Sequence, residues 1–201
     1  MENIDAIVQE VSRRILVEVE ASGRHVHVTK EQAMMLFGHD LTPSRPLSQP
    51  GQFLAQERVT LVGPRGELSN VAVLGPVRKE GQVELSLTDG VAVGLTPPVR
   101  LSGDVAGSPG ILLRGPRGEV RLSCGVVAAQ RHIHLPPDEA ALRGLRDRQV
   151  VKLRMMTDRP TVFEDVMVRV HPDFAPRAHI DYDEANACAF RKGDLGVILH
   201  G

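Results

Sequence analysis

A chain of 201 residues with 42 % apolar side chains can bury one large core or two small ones. A formal charge of −1, 3 % aromatic residues and no Trp leave no basis for a nucleic-acid stacking platform, so no nucleic-acid partner is expected. No apolar run reaches transmembrane length, which argues against a membrane partner, and two cysteines make no disulfide framework, so a cytoplasmic, reducing compartment is the expectation.

Along the chain, Ile4, Ile7, Val8, Val11 and Ile15 recur at helical spacing, with Asp5, Gln9, Arg13 and Arg14 opposite, predicting an amphipathic helix over 1–15. It runs into Leu16 without a Gly, Ser or Pro spacer, so it is expected to cover its own barrel rather than act as a detachable tag. Next comes Gly23-Arg24-His25-Val26-His27-Val28-Thr29. Thr29 with Gln32 reads as a capping box, and Gly38 as a helix stop. Short Val/Leu/Ile runs at 58–63, 71–77, 82–88, 110–115 and 125–130 read as strands between Gly/Pro turns. Gly-Pro-Arg-Gly stands at 63–66 and again at 115–118, each time as a hairpin turn. A second Arg-His-aliphatic-His follows at 131–134, with Pro136, Pro137, Asp138 and Glu139 opening another helix. Strand-like runs at 149–155, 166–170 and 195–200 complete a mainly β pattern that suits a barrel or sandwich.

The duplicated motif carries the chemistry. His25 and His132 lie 107 residues apart (132 − 25), and each unit reads as strand, His-x-His, tight turn, short helix. Side chains two apart on a strand share a face, so each pair offers two imidazoles to one metal such as zinc, copper, iron or nickel. Three protein ligands are usual at a catalytic zinc, so each pair needs one more. Strand carboxylates such as Glu84 and the His179-Ile180-Asp181 segment are candidates. His39 and His200 read as exposed, and His171, before Pro172, as structural. Cys124 and Cys188 read as small buried hydrophobes rather than nucleophiles.

From these segments the chain resembles the PduL-type phosphate propanoyltransferase (phosphotransacylase) family. The matching stretches are SGRHVHVT, LSQPGQF, the block from Val59 to Gly90, PPVRLSGDVAGSPGI, RHIHL and VMVRVHPDFAPRAHIDYDEANA, about residues 20–195. The resemblance implies two small β-barrels with short capping helices and a metal site at their junction. It implies a discontinuous path: a helix at 1–15, one barrel from 16–23 plus 130–201, and another from 24–129 with an inserted hairpin near 37–56. It implies exchange of acyl-CoA and phosphate for acyl phosphate and CoA, on propanoyl or acetyl groups. Two zinc ions, or another divalent transition metal, would be held by His25, His27 and Glu84 and by His132, His134 and His179. Arg78 would hold phosphate, and Ser22 and Asn186 would line the CoA pocket. Gly23 stands where the family has Asn. A homo-oligomer and residence inside a bacterial microcompartment, with its shell as partner, also accord with the family. Two other readings stand beside it: a dinuclear zinc hydrolase of thioesters or phosphoesters, and a non-enzymatic barrel that binds metal or a partner.

Overall fold

A computed structural model describes residues 2–200 of the protein. In chain order the elements are α1 (Glu2–Ile15), β1 (Leu16–Ser22), β2 (His25–His27), α2 (Lys30–Phe37), β3 (Pro43–Pro46), β4 (Phe53–Val62), β5 (Glu67–Gly75), β6 (Gln82–Glu84), α3 (Leu87–Val93) and β7 (Val99–Arg100). They continue as β8 (Ile111–Arg114), β9 (Glu119–Leu122), β10 (Val126–Ala129), β11 (His132–Leu135), α4 (Pro137–Leu142), β12 (Val150–Met155), β13 (Val162–Val170), β14 (Arg177–Asp181), α5 (Tyr182–Ala187) and β15 (Leu195–Leu199). The fold is mainly β, as the sequence pattern requires.

The chain divides into two units. One runs to Ser22 and resumes at Arg131; the other is Gly23–Gln130. The first is a closed barrel in the order β1-β14-β11-β13-β12-β15, with β15 returning to β1. Its interior takes alternate residues of each strand, among them Val19, Ile133, Leu135, Leu153, Val168 and Ile180. The second is a curled sheet in the order β7-β10-β6-β2-β5-β4-β8-β9, with β3 paired to β4. Its core holds Val26, Leu61, Val71, Val73, Val83, Leu113 and Val126. This sheet stays open. The two-residue β7 pairs with β10 on one side, while the β8–β9 hairpin extends the sheet from β4 on the other.

The two units repeat one arrangement. Each His-x-His strand lies between a parallel and an antiparallel neighbour: β2 between β5 and β6, β11 between β13 and β14. In each, the antiparallel neighbour takes a further parallel strand, β10 on β6 and β1 on β14. The exchange is in connectivity. β1 immediately precedes β2 in the chain yet pairs in the other unit, and β10 does the same before β11.

The helix caps follow the local sequence. Thr29 and Gln32 form a reciprocal capping box, and Gly38 closes α2 in a left-handed conformation (φ +80°). Both Gly-Pro-Arg-Gly stretches are hairpin turns, closed by Gly63 N–H to the Gly66 carbonyl and Gly115 N–H to the Gly118 carbonyl, each 2.9 Å. Two expectations need correction. The strand expected over 82–88 ends at Glu84. Ser86 and Asp89 there form another capping box, which turns the chain into α3. α1 forms, but it does not bury its apolar stripe. Ile4 is 65 % exposed and Ile15 46 %, with Ile7, Val8 and Val11 between them. Its last turn is held instead by polar contacts, Arg13 donating to Glu139 (2.6 Å), which also pairs with Arg143. Amphipathicity reports that a helix has an apolar face; it does not say what covers that face.

Candidate active site

Strand alternation sets both histidine pairs. In β2, Val26 enters the core at 0 % exposure, so His25 and His27 point to the outer face. In β11, Ile133 does the same and turns His132 and His134 outward. Register then supplies the third member of each group. His25 lies directly opposite Glu84 on β6, and His132 directly opposite His179 on β14. Within each trio, His25, His27 and Glu84 or His132, His134 and His179, the ligand-type atoms lie within 4.8 Å of one another.

The first trio sets one carboxylate between two imidazoles. His25 Nδ1 donates to the Gly23 carbonyl (2.9 Å), which leaves Nε2 facing Glu84 Oε2 at 3.4 Å. Burial opposes a charge on His25, but Glu84 outweighs it and raises the ring's pKa. Burial likewise pushes the Glu84 carboxyl upward, yet His25 prevails and holds it below the usual carboxylate range. His27 is driven down to about 2 by burial, His25 and Arg78, so it is a neutral imidazole with a lone pair to give. Its Nδ1 is buried without a partner.

Glu84 is held from behind. Gln82, 3 % exposed, donates Nε2 to Glu84 Oε1 (2.6 Å) and to Ser102 Oγ (2.9 Å). Its Oε1 accepts the Gly103 N–H (2.8 Å), which fixes which way the amide faces. Arg78 Nη1 donates to the same Ser102 Oγ (3.1 Å), and its backbone N–H to the Val28 carbonyl (2.9 Å). The resemblance-derived arginine and carboxylate therefore belong to one polar chain. Gln82 and Ser102 were not singled out in the sequence. Gln82 was within reach, two before Glu84 on the same strand face; Ser102 lies in a loop after β7, where no period exposes it.

The second trio has imidazoles alone. The ring centroids are 4.6 Å apart for His132 and His134, and 5.0 Å from each of them to His179. Burial, His132 and Arg169 lower the His134 pKa to about 3. His134 Nδ1 is buried without a hydrogen-bond partner. Each trio gathers three ligand-type side chains and at least one orphaned imidazole nitrogen, a donor set that suits a borderline metal such as zinc, so the residues present fit one ion per trio.

Ser22 ends β1 opposite Asp181. Asp181 caps α5, which carries the exposed Asn186. His39, His171 and His200 are exposed and belong to neither trio, Cys188 is buried, and Cys124 is half-buried. A surface cleft of about 640 Å³, lined by Arg154, Met156, Thr157 and Arg191 among others, contains no member of either trio.

A family model described as phosphate propanoyltransferase matches residues 18–191, and so spans both trios. The chain belongs to the phosphate propanoyltransferase family. A phosphate propanoyltransferase of Listeria monocytogenes is 51 % identical over 204 residues, covering 98 % of this chain and 96 % of the relative. Those of Clostridioides difficile and Thermotoga maritima are each 46 % identical, covering 98 % and 99 % of this chain and 96 % of each relative. The phosphate propanoyltransferase match begins inside β1, at residue 18, and leaves out α1.

Proposed function

We propose that the chain is a phosphate acyltransferase that exchanges a short acyl group, propanoyl or acetyl, between CoA and phosphate. The observation that carries this reading is the pair of trios, each with an orphaned ring nitrogen, His27 Nδ1 in one and His134 Nδ1 in the other, the first joined to Arg78 through Gln82 and Ser102, inside a chain of this family.

A metal ion in each trio would supply Lewis-acid chemistry, polarising the thioester carbonyl and neutralising phosphate. The protein's own groups position the reactants. The Arg78 guanidinium offers a planar fork to a phosphate dianion and is oriented for it by Ser102 and Gln82. Ser22 and Asn186 are the proposed contacts to CoA. A phosphate oxygen attacks the thioester carbon, the C–S bond breaks, and the thiolate leaves to take a proton from solvent. Holding both substrates removes the entropic cost of their meeting. No protein nucleophile is required. Cys188, which caps the C-terminal end of α5, is buried, and burial raises its thiol pKa.

The test is thiol release from propanoyl-CoA and acetyl-CoA with and without phosphate. Release that depends strictly on phosphate supports acyl transfer. Release without phosphate would make the protein a hydrolase, and no release with no CoA binding would leave a metal-binding module. The exposed stripe of α1 supports a further part of the reading, a docking helix for a microcompartment shell or a second copy of the chain.

A further inference from the structure

The two units align residue by residue around their histidines. Ala72 on β5 stands opposite His25 and Met167 on β13 opposite His132. Two residues further along, β5 carries Leu74 where β13 carries Arg169, the partner of His134 in the register. The loops beyond differ in the opposite sense. Arg78 N–H donates to the Val28 carbonyl, and its counterpart, His171 N–H, donates to the Leu135 carbonyl. The arginine that one unit places in its loop, the other therefore places at the end of its strand.

We propose that Arg169 binds a phosphate-type oxyanion of the substrates at the His132, His134 and His179 trio. Arg169 Nη1 lies 3.5 Å from His134 Nε2, and its guanidinium carbon lies 5.6 Å from the centre of the Phe174 ring, which also lies against His134. A guanidinium only donates, so this contact needs a lone pair on Nε2. In a neutral ring the proton is then on Nδ1, where it is buried with no acceptor. A metal ion resolves the conflict, and it removes the contact whichever nitrogen it takes. On Nε2 it uses the lone pair itself. On Nδ1 it moves the proton to Nε2, which then meets the guanidinium as a second donor. Loading the trio thus turns Arg169 away from His134. The trio's three ligands are neutral, whereas Glu84 brings a negative charge to the other. A dication on three imidazoles beside a guanidinium calls for an anion, and a guanidinium is a planar fork that can meet one with two parallel N–H groups.

The identity of the anion rests on the acyltransferase reading: the phosphoryl group of phosphate or acyl phosphate, or the diphosphate of CoA. Calorimetric titration of the zinc-loaded full chain with inorganic phosphate and, separately, with CoA tests it in the wild type, Arg169→Met and Arg169→Lys, with zinc content measured on the same samples. Arg169→Met weakens binding by about tenfold or more and Arg169→Lys by less, at unchanged zinc content. Weakening confined to phosphate assigns the guanidinium to the phosphoryl group, and weakening confined to CoA assigns it to the diphosphate; both support the proposal. Arg169→Lys keeps the stem and the charge, and serves where Met costs stability. Unaltered affinity for both anions in both variants overturns the proposal, as do parallel loss of zinc and a wild type that binds neither anion. Wild-type protein that binds phosphate but releases no thiol fails the acyltransferase reading alone and leaves the comparison for Arg169 decisive.

Discussion

Arg78 shows how one side chain can serve the substrate while barely serving the fold. Its guanidinium reaches Ser102 Oγ at the half-buried surface, and it is not a member of the apolar core. Arg78→Ala is expected to raise KM for phosphate by about tenfold or more with melting temperature and zinc content unchanged. Arg78→Lys keeps the charge but loses the bidentate fork, and should fall between. Unchanged phosphate saturation in Arg78→Ala would remove its role. The cysteines give a second residue-scale expectation. Cys188 is fully buried and its thiol pKa is raised above the ordinary value by burial, so the unreactive protonated form persists to higher pH. At pH 8 a thiol reagent should label Cys124 in the folded protein and reach Cys188 only after denaturation, with mass spectrometry locating the label. Rapid labelling of native Cys188 would contradict its burial. Residue identities at the candidate site were legible because the His-x-His spacing repeats. For the third residue of each pair, spacing offered Glu84 and His179 only as candidates and the resemblance named them, because it is strand register, a long-range property, that places them opposite His25 and His132.

At the scale of elements, local chemistry was readable wherever the chain writes it in neighbouring residues. Thr29 with Gln32 and the Gly-Pro-Arg-Gly turns folded as read. α3 did not, because Leu85 and Leu87 continue the alternation of β6 while the Ser86–Asp89 cap, a polar signal inside an apolar run, ends the strand. Ser86→Ala removes the acceptor for the Asp89 N–H and should cost roughly 1 kcal/mol in denaturant unfolding; no loss of stability would mean that the cap is dispensable. α1 is the other misreading, and it reverses an expectation. Its apolar residues are exposed, and Glu139 keeps Arg143 as a partner once Arg13 is gone. Deleting residues 1–13 should therefore leave melting temperature and thiol release essentially unchanged while abolishing any self-association or capture by shell protein in size-exclusion chromatography. A large drop in melting temperature would restore the helix to the barrel's own core.

At the scale of the molecule, the fold is one arrangement built twice, with the leading strand of each copy paired in the other unit. Composition and turn spacing were enough to indicate short strands and a mainly β fold. They did not indicate the exchange, since a cut at the 107-residue repeat would give β1 to the strands that follow it. Duplication also accounts for two trios whose chemistry has diverged, His, His and Glu in one and three His in the other. The central claim is that each trio is a separate metal site. Elemental analysis of zinc-loaded protein, comparing the wild type with His25→Ala and His132→Ala, tests it most directly. The account predicts two ions per wild-type chain and about one in each variant, because each substitution takes one of three ligands from a single site. Full occupancy in both variants, or no zinc in the wild type, would contradict it.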